Sequence, residues 1–275
     1  MDFILQHWGL VLSLSCVGFA AGFTGGLFGV GGGIVTTPVL YALFKTLGHG
    51  DSESLKTAIG TSLAIIIVTS IRSLSTHHRA GHVDSSILRA WVPWIALGAG
   101  LGGFLSRWAP VELLAIIFAA GAFWVAYRRL FGSKKKTASP TDLNRKRMKV
   151  PLGVGTGLFS SLIGLGGGAL GVMIMTVAGR PMHQAIGTSA GFGVAVAVPG
   201  VLGFIYSGLN VANLPPVSLG YFNFPAFVVT AVMAAIAAPM GAKAAHRLNG
   251  ALLSKVFGGY VLIAACALTF DVFGG

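Results

Sequence analysis

The stretch GGLFGVGGGIVTTP, residues 25–38, places three consecutive glycines between two apolar runs. A looser copy, SSLIGLGGGALGV, begins at Ser160, and its GLGGG lies 135 residues after the GVGGG of the first. Each glycine disfavours a helix by about 1 kcal/mol relative to alanine. Three in a row therefore predict an interruption of helical structure, and the chain contains this interruption twice.

The composition is that of a protein surrounded by lipid. The 275 residues are 54% hydrophobic and only 9% charged, whereas a soluble domain carries roughly 25% charged residues. Apolar runs near the ~20 residues that a bilayer requires occur at 58–71, 87–105, 111–127, 185–206, 222–242 and 252–270. Backbone groups in lipid must be paired, so these runs predict helices. We expect an all-α membrane protein with about 8–10 transmembrane segments.

A second signature follows each glycine-rich segment. KTAIGTSLA at 56–64 and HQAIGTSAG at 183–191 share the five residues AIGTS in the same order. Such identity indicates an internal duplication. The chain then divides into a first membrane repeat at 1–130, a basic linker at 131–149 and a second membrane repeat at 150–275.

Charge predicts the orientation of the two repeats. Nine of the 19 Lys and Arg residues lie between positions 128 and 149. A basic run can bind nucleic acid or lipid headgroups. Beside membrane helices the positive-inside rule instead places it in the cytoplasm, and we expect no nucleic-acid partner. The loop at 72–89 has three Arg, whereas its counterpart at 207–221 has no charge. This opposite bias predicts inverted-topology repeats with both termini outside.

Two arrangements fit the segments around the glycines. An apolar helix over 8–21 would span ~21 Å and one over 34–44 only ~17 Å, both short of the ~30 Å hydrocarbon core. Either the glycines continue the helix through two tight crossings, or they break it into a hairpin of short helices. Consecutive glycines favour the break. Close packing of neighbouring helices is the alternative explanation for so many small residues.

A break would create a site for a small anion. Free N–H groups at the positive end of the following helix attract negative charge, and matching breaks in two halves indicate a transport site. The AIGTS hydroxyls can donate to an anion, or can bond to their own helix. Arg72 can snorkel to the inner surface or reach the anion. The predicted substrate-binding residues are Gly31, Gly32, Gly33, Thr61, Ser62, Arg72, Gly166, Gly167, Gly168, Gln184, Thr188 and Ser189.

Other chemistry is disfavoured. All seven acidic residues lie at loops or chain ends, which argues against a carboxylate relay within the membrane. The apolar segments contain no His–Asp or HExxH constellation, so we expect no enzyme, no metal and no cofactor. We expect the loop histidines His77, His78 and His82 to be solvated. We also expect Cys16 and Cys266 to be small core residues without a disulfide.

These residues carry a resemblance to a known family. GFTGGLFGVGGGIVTTPVL at 22–40, AIGTSLAIIIVTSIRSL at 58–74, HHRAGHVD at 77–84 and the second-half SLIGLGGG and QAIGTSA resemble the TauE/SafE permeases. The family's loop reads Gly-Asn-Val-Asp. The corresponding residues here are Gly81-His82-Val83-Asp84, so His82 replaces the Asn. The resemblance implies an inner-membrane permease for a small sulfur-containing anion: sulfite, thiosulfate or an organosulfonate. We expect export by alternating access; a passive channel or uniporter for another small oxyanion or carboxylate is the alternative.

Overall fold

The computed structural model describes residues 2–130, 143 and 146–273. Its helices are α1 (Asp2–Phe28), α2 (Gly33–Thr46), α3 (Asp51–Arg79), α4 (Ser85–Leu105), α5 (Val111–Leu130), α6 (Lys146–Ile163), α7 (Gly168–Val177), α8 (Met182–Gly208), α9 (Phe224–Arg247) and α10 (Gly250–Phe273). A short antiparallel hairpin of β1 (Ser218–Leu219) and β2 (Phe222–Asn223) precedes α9. The expected all-α fold is confirmed.

The outer surface of the helices suits a membrane. By length and composition, five helices of the described chain can cross a bilayer: Trp8–Phe28, Asp51–Arg79, Ser85–Leu105, Met182–Gly208 and Phe224–Arg247. Large apolar side chains on them point outward, including Leu97, Leu202 and Val232. A water-soluble monomer rarely exposes so much contiguous apolar surface. The chain is therefore a multi-pass membrane protein.

The two helices that carry AIGTS form the centre of the molecule. In its most apolar window, α3 is 83% buried and α8 is 67% buried, compared with 39% for α4 and for α9. Helix α3 packs against α2, α8 and α9, and α8 also packs against α4 and α7. The duplicated signature thus lies in the protein interior, away from lipid.

Glycines outside the breaks serve close packing. Gly18, Gly22 and Gly26 follow one another at four-residue intervals on α1, and a Cβ atom on any of them would overlap backbone atoms of α9. Helices α4 and α6 approach in the same way at Gly98 and Gly157. Small residues allow membrane helices this close contact, so packing explains these glycines.

The structure corrects the expected extent of two helices. Helix α1 has 27 residues and extends beyond the expected positions 8–21 at both ends. It therefore spans ~40 Å and can cross a bilayer alone. It continues through its glycines because they contact α9. Helix α3 continues to Arg79, well into the expected loop at 72–89, and the chain leaves helical geometry at Gly81, whose φ is 75°.

Two smaller expectations also change. Cys16 and Cys266 are exposed, so they face the lipid side rather than the core. Helix α6 begins at Lys146, inside the expected linker at 131–149. Apart from residue 143, whose carbonyl accepts a hydrogen bond from the Trp91 indole at 3.0 Å, the earlier part of that linker lies outside the described residues.

Candidate functional site

The chain breaks at both glycine-rich segments, as the sequence predicts. Gly29, Gly31 and Gly32 have φ values of 67°, 82° and 85° between α1 and α2. The second break, between α6 and α7, repeats this pattern: Gly164, Gly166 and Gly167 have φ values of 68°, 67° and 71°. Residues with a side chain rarely adopt such angles. Glycine is thus required at equivalent positions of both breaks.

The two breaks pack directly on each other. A Cβ atom on Gly33 would overlap the Gly164 carbonyl oxygen, and one on Gly168 would overlap the Gly29 carbonyl oxygen. These contacts are equivalent, because each second-half residue lies 135 positions after its counterpart. Residues 29–33 and 164–168 are all buried. Backbone therefore meets backbone inside the protein, where the two halves join.

The helices that follow the breaks begin without side-chain caps. Helix α2 has Gly32 as its N-cap and α7 has Gly167, and neither cap supplies a side-chain hydrogen bond. The first amides of a helix have no acceptor within the helix and carry its positive partial charge. Two such ends lie at the junction of the breaks, together with the predicted residues Gly31, Gly33, Gly166 and Gly168.

The serines of the two AIGTS copies differ in their partners. In the first half, the Ser62 hydroxyl hydrogen-bonds the Thr36 hydroxyl at 2.6 Å. Gly171 replaces Thr36 in the second half, and the Ser189 oxygen lies 2.8 Å from the position that a Cβ on Gly171 would occupy. Ser189 is fully buried, and no described residue pairs with its hydroxyl. A buried donor is thus left open beside the first turn of α7.

Two further hydroxyls, Ser70 and Thr37, lie at the breaks but are not among the predicted site residues. The Ser70 oxygen is 3.0 Å from the Cβ position on Gly31, and the Thr37 oxygen is 2.8 Å from that on Gly164. Both are buried, and neither has a hydrogen-bond partner within the described chain. The sequence did offer one indication of Ser70. It lies two turns after the predicted site residue Ser62 on α3 and therefore on a similar face of the helix.

The AIGTS threonines hold the loops that precede helices α4 and α9. The Asn223 N–H donates to the Thr61 oxygen at 2.9 Å, and the Asp84 N–H donates to the Thr188 oxygen, also at 2.9 Å. In both cases the loop belongs to the other repeat. Asp84 and Asn223 are themselves the N-caps of α4 and α9, where their side-chain oxygens accept backbone amides. Each threonine thus positions the start of a helix.

The glycines of AIGTS make the same contact possible. A Cβ on Gly60 would overlap the Tyr221 carbonyl, and one on Gly187 would overlap the His82 carbonyl. These carbonyls lie two residues before the amides that the threonines bind. The Gly-Thr pair therefore docks a loop of the opposite half, which gives the duplicated AIGTS a structural role that sequence reasoning missed.

This docking predicts the effect of losing one hydroxyl. Thr188→Val keeps the shape of the side chain but leaves the partly buried Asp84 amide without its acceptor. We expect a loss of about 1–3 kcal/mol of stability, measured as a lower apparent melting temperature in detergent. Thr188→Ser retains the acceptor oxygen and should stay near wild type. Equal melting temperatures for the valine and serine variants would contradict the assigned role.

Comparison with known proteins identifies the family. The family model described as "Sulfite exporter TauE/SafE" matches residues 14–268, which is nearly the whole chain. The chain belongs to the TauE/SafE family. A "Probable membrane transporter protein" of Haemophilus influenzae is 32% identical over 93% of this chain and 96% of its own length. One of Methanocaldococcus jannaschii with the same description is 27% identical over 86% of each chain. No solved structure matches the chain.

The family description and the names of these relatives are those of transporters rather than enzymes. This TauE/SafE protein is therefore a membrane transporter.

Two of its predicted site residues lie apart from the breaks. Arg72 is exposed, and its Nε donates to the Ala235 carbonyl of α9 at 3.3 Å. Gln184 is half-buried in the first turn of α8.

Histidines meet at the end of the TauE/SafE protein where α3 and α9 end and α8 begins. His77 is buried inside α3, so the expectation of a solvated loop histidine was wrong. Its Nδ1 lies 3.0 Å from Nε2 of His246. The His82 ring lies 4.9 Å from that of His246 and 5.5 Å from that of His183, measured between centroids. The helix extends past the expected boundary, and this brings His77 into the cluster.

The first residues of α3 and α8 contact the ends of other helices in matching ways. Lys56 Nζ lies 3.5 Å from the Arg107 carbonyl just past the end of α4, and His183 Nε2 lies 3.2 Å from the Leu248 carbonyl after α9. Arg107 and Leu248 occupy the same place in two weakly similar stretches, GLGGFLSRW at 100–108 and GAKAAHRLN at 241–249. A cationic or polar side chain suits the negative end of a helix.

Proposed function

We propose that this TauE/SafE protein is a permease that carries a small sulfur-containing anion outward across the cell inner membrane. The observation that carries the proposal is the meeting of two uncapped helix N-termini at two buried, packed breaks. Amides at such ends bind anions without a buried positive side chain. The sulfur class follows from the family description, "Sulfite exporter TauE/SafE".

The anion would bind between the first turns of α2 and α7. The amides after Gly32 and Gly167 would contact its oxygens, and the open hydroxyls of Ser70 and Ser189 would donate from α3 and α8. The breaks touch in this conformation, so they must separate to admit the anion. Separation of two packed halves around a fixed site is the movement that alternating access requires.

The paired contacts support an inverted arrangement of the repeats. Thr188, near the start of α8, binds Asp84 just beyond the end of α3, so the two central helices run in opposite directions. With the linker at 131–149 in the cytoplasm, both termini would lie outside. The histidine cluster would then face inward. With a negative interior, exit of an anion gains about 2.3 kcal/mol per charge at 100 mV.

Flux through purified protein tests the proposal. In neutral-lipid proteoliposomes loaded with sulfite, thiosulfate or sulfoacetate, we expect saturable efflux of at least one sulfur anion. External substrate should accelerate it by counterflow, and a negative interior should drive it. Unitary currents would instead support the passive channel. Absence of flux for every sulfur anion, with transport of another oxyanion or a carboxylate, would refute the substrate class.

A further inference from the structure

A concave surface with positive charge lies between the ends of α3 and α9, apart from the junction of the breaks. The cavity has a volume of about 390 Å³ and is lined mainly by Arg72, Thr76, Arg79, Lys243 and His246. None of its described lining residues is acidic. Among the described residues the ion pairs involve other cations, Lys45 and Arg180, so the three cations of the cavity have no carboxylate partner.

The cavity is ordered by contacts at its wall. The Nε of Arg72 donates to the Ala235 carbonyl, which fixes the guanidinium stem and leaves its terminal nitrogens available. The Thr76 hydroxyl donates to the Arg72 carbonyl at 2.9 Å, and this bond holds the side chain of Thr76 against α3. The like charges repel one another, and a bound anion offsets this repulsion. The planar guanidinium of arginine can donate two parallel hydrogen bonds to a pair of oxyanion oxygens.

The cavity lies close to the breaks along α3. Thr69 donates to the Gly31 carbonyl at 2.7 Å, and Arg72 follows three residues later, ~4.5 Å further along the helix. Arg72 is thus the lining residue of α3 nearest the breaks, and the cavity extends from it toward the end of the molecule that carries the histidine cluster. The cavity is separate from the closed junction of the breaks.

We propose that this basic cavity is a second binding site, which takes a doubly charged oxyanion before it reaches the breaks. The inference deepens the transport proposal and rests on it for the anion class. The oxygens of a lipid phosphate headgroup, which carries a single negative charge, could contact the same cations, so both a free sulfur oxyanion and a headgroup are tested below. Concentrated positive charge also raises the local concentration of anions and hence their rate of entry.

His246 gives the cavity a dependence on pH. The Nε2 of His77 lies 3.1 Å from the Gly26 carbonyl, which can only accept, so this nitrogen carries hydrogen. In the neutral ring, Nδ1 of His77 then accepts from Nε2–H of His246. The Nδ1 of His246 remains able to take a proton without loss of that hydrogen bond. Protonation would add a further positive charge to the cavity wall.

The charges around His246 set the direction of this effect. Lys243 lies on its own helix, Arg72 and Arg79 face it from α3, His82 from the following loop and His183 from α8. None of these described groups is acidic. A bound dianion favours the protonated, positively charged form of His246, so binding should strengthen as the pH falls.

Thiosulfate is the probe, because it keeps both negative charges between pH 8 and pH 6. In phosphatidylcholine nanodiscs, calorimetry would compare wild type with Arg79→Gln/Lys243→Gln and with the control Arg247→Gln, an exposed cation that does not line the cavity. We expect about tenfold weaker binding for the double variant, the size of two lost exposed charge contacts, and no change for the control. Wild-type binding should be tighter at pH 6.

Chemical modification of arginine tests whether thiosulfate binds in the cavity. Thiosulfate should protect Arg72 and Arg79, but not the exposed Arg89, from phenylglyoxal in peptide mass spectrometry. Competition by phosphatidylglycerol, lost in the double variant, would identify a lipid headgroup as the occupant. Equal thiosulfate affinity in all variants, without protection, would overturn the cavity proposal even if flux is normal. Protected cavity arginines in a protein without flux would instead refute the transport proposal alone.

Discussion

Replacement of Gly168 or Gly33 by alanine should lower transport about a hundredfold. A Cβ at either position overlaps a carbonyl oxygen of the opposite break, so the two breaks must shift apart. Overpacking of this kind costs about 1–3 kcal/mol. Displacement of binding groups by about 1 Å can lower a rate about a hundredfold. We expect proteoliposome flux reduced by about this factor, together with a lower apparent melting temperature.

Two control variants separate the breaks from general instability. Gly155→Ala adds a methyl group to α6 where no atom lies within 4 Å, so flux and stability should stay unchanged. Gly22→Ala forces α1 against the Ala234 backbone of α9 and should lower stability by a similar amount. Its folded fraction should still transport. Wild-type flux in Gly168→Ala, or equal loss of flux in Gly22→Ala, would show that the breaks have no special role.

Much of the fold could be predicted from the sequence because lipid imposes simple rules. Apolar runs in a chain with few charges must form helices, and three consecutive glycines must interrupt one. The repeated GGG and AIGTS lie where the two halves contact each other, a packing role that the sequence analysis did not assign to them. The extent of α1 could not be predicted, because Gly22 and Gly26 favour a break locally. Only their contact with α9, far away in sequence, allows the helix to continue.

The site was harder to predict than the fold. Thr61 and Thr188 are predicted anion donors, and the sequence did not indicate that their oxygens also accept the amides of Asn223 and Asp84. These partners lie more than 100 residues away in sequence, and no local pattern predicts such pairing. Ser70 was missed for the opposite reason. Nothing in the letters TSIRSL indicates that the Ser70 hydroxyl stays unpaired beside Gly31 while that of Thr69 next to it is hydrogen-bonded.

The docking of loops onto AIGTS also connects the two ends of the molecule. Thr61 holds the hairpin before α9, and Thr188 holds the turn before α4, near the histidine cluster. If one half moves relative to the other, these two contacts are strained in turn. They are therefore the contacts through which we expect opening at one end to be linked to closing at the other.

The largest effect without structural damage should come from the two open hydroxyls. Ser70→Ala/Ser189→Ala removes buried donors that have no partner in the described structure. Removal of an unsatisfied polar group leaves stability unchanged or slightly higher. If both hydroxyls bind the anion, each loss weakens binding by about 1 kcal/mol, so the half-saturating concentration should rise about tenfold or more. Thr230→Val, which removes another buried unpaired hydroxyl on α9, is the matched control.

The deciding measurement is the concentration dependence of sulfur-anion efflux from proteoliposomes that contain the Ser70→Ala/Ser189→Ala variant. Binding at the breaks predicts a half-saturating concentration raised about tenfold or more, with a melting temperature at or above that of wild type and an unchanged Thr230→Val control. Half-saturation at the wild-type concentration in this stable variant would contradict an anion site between α2 and α7.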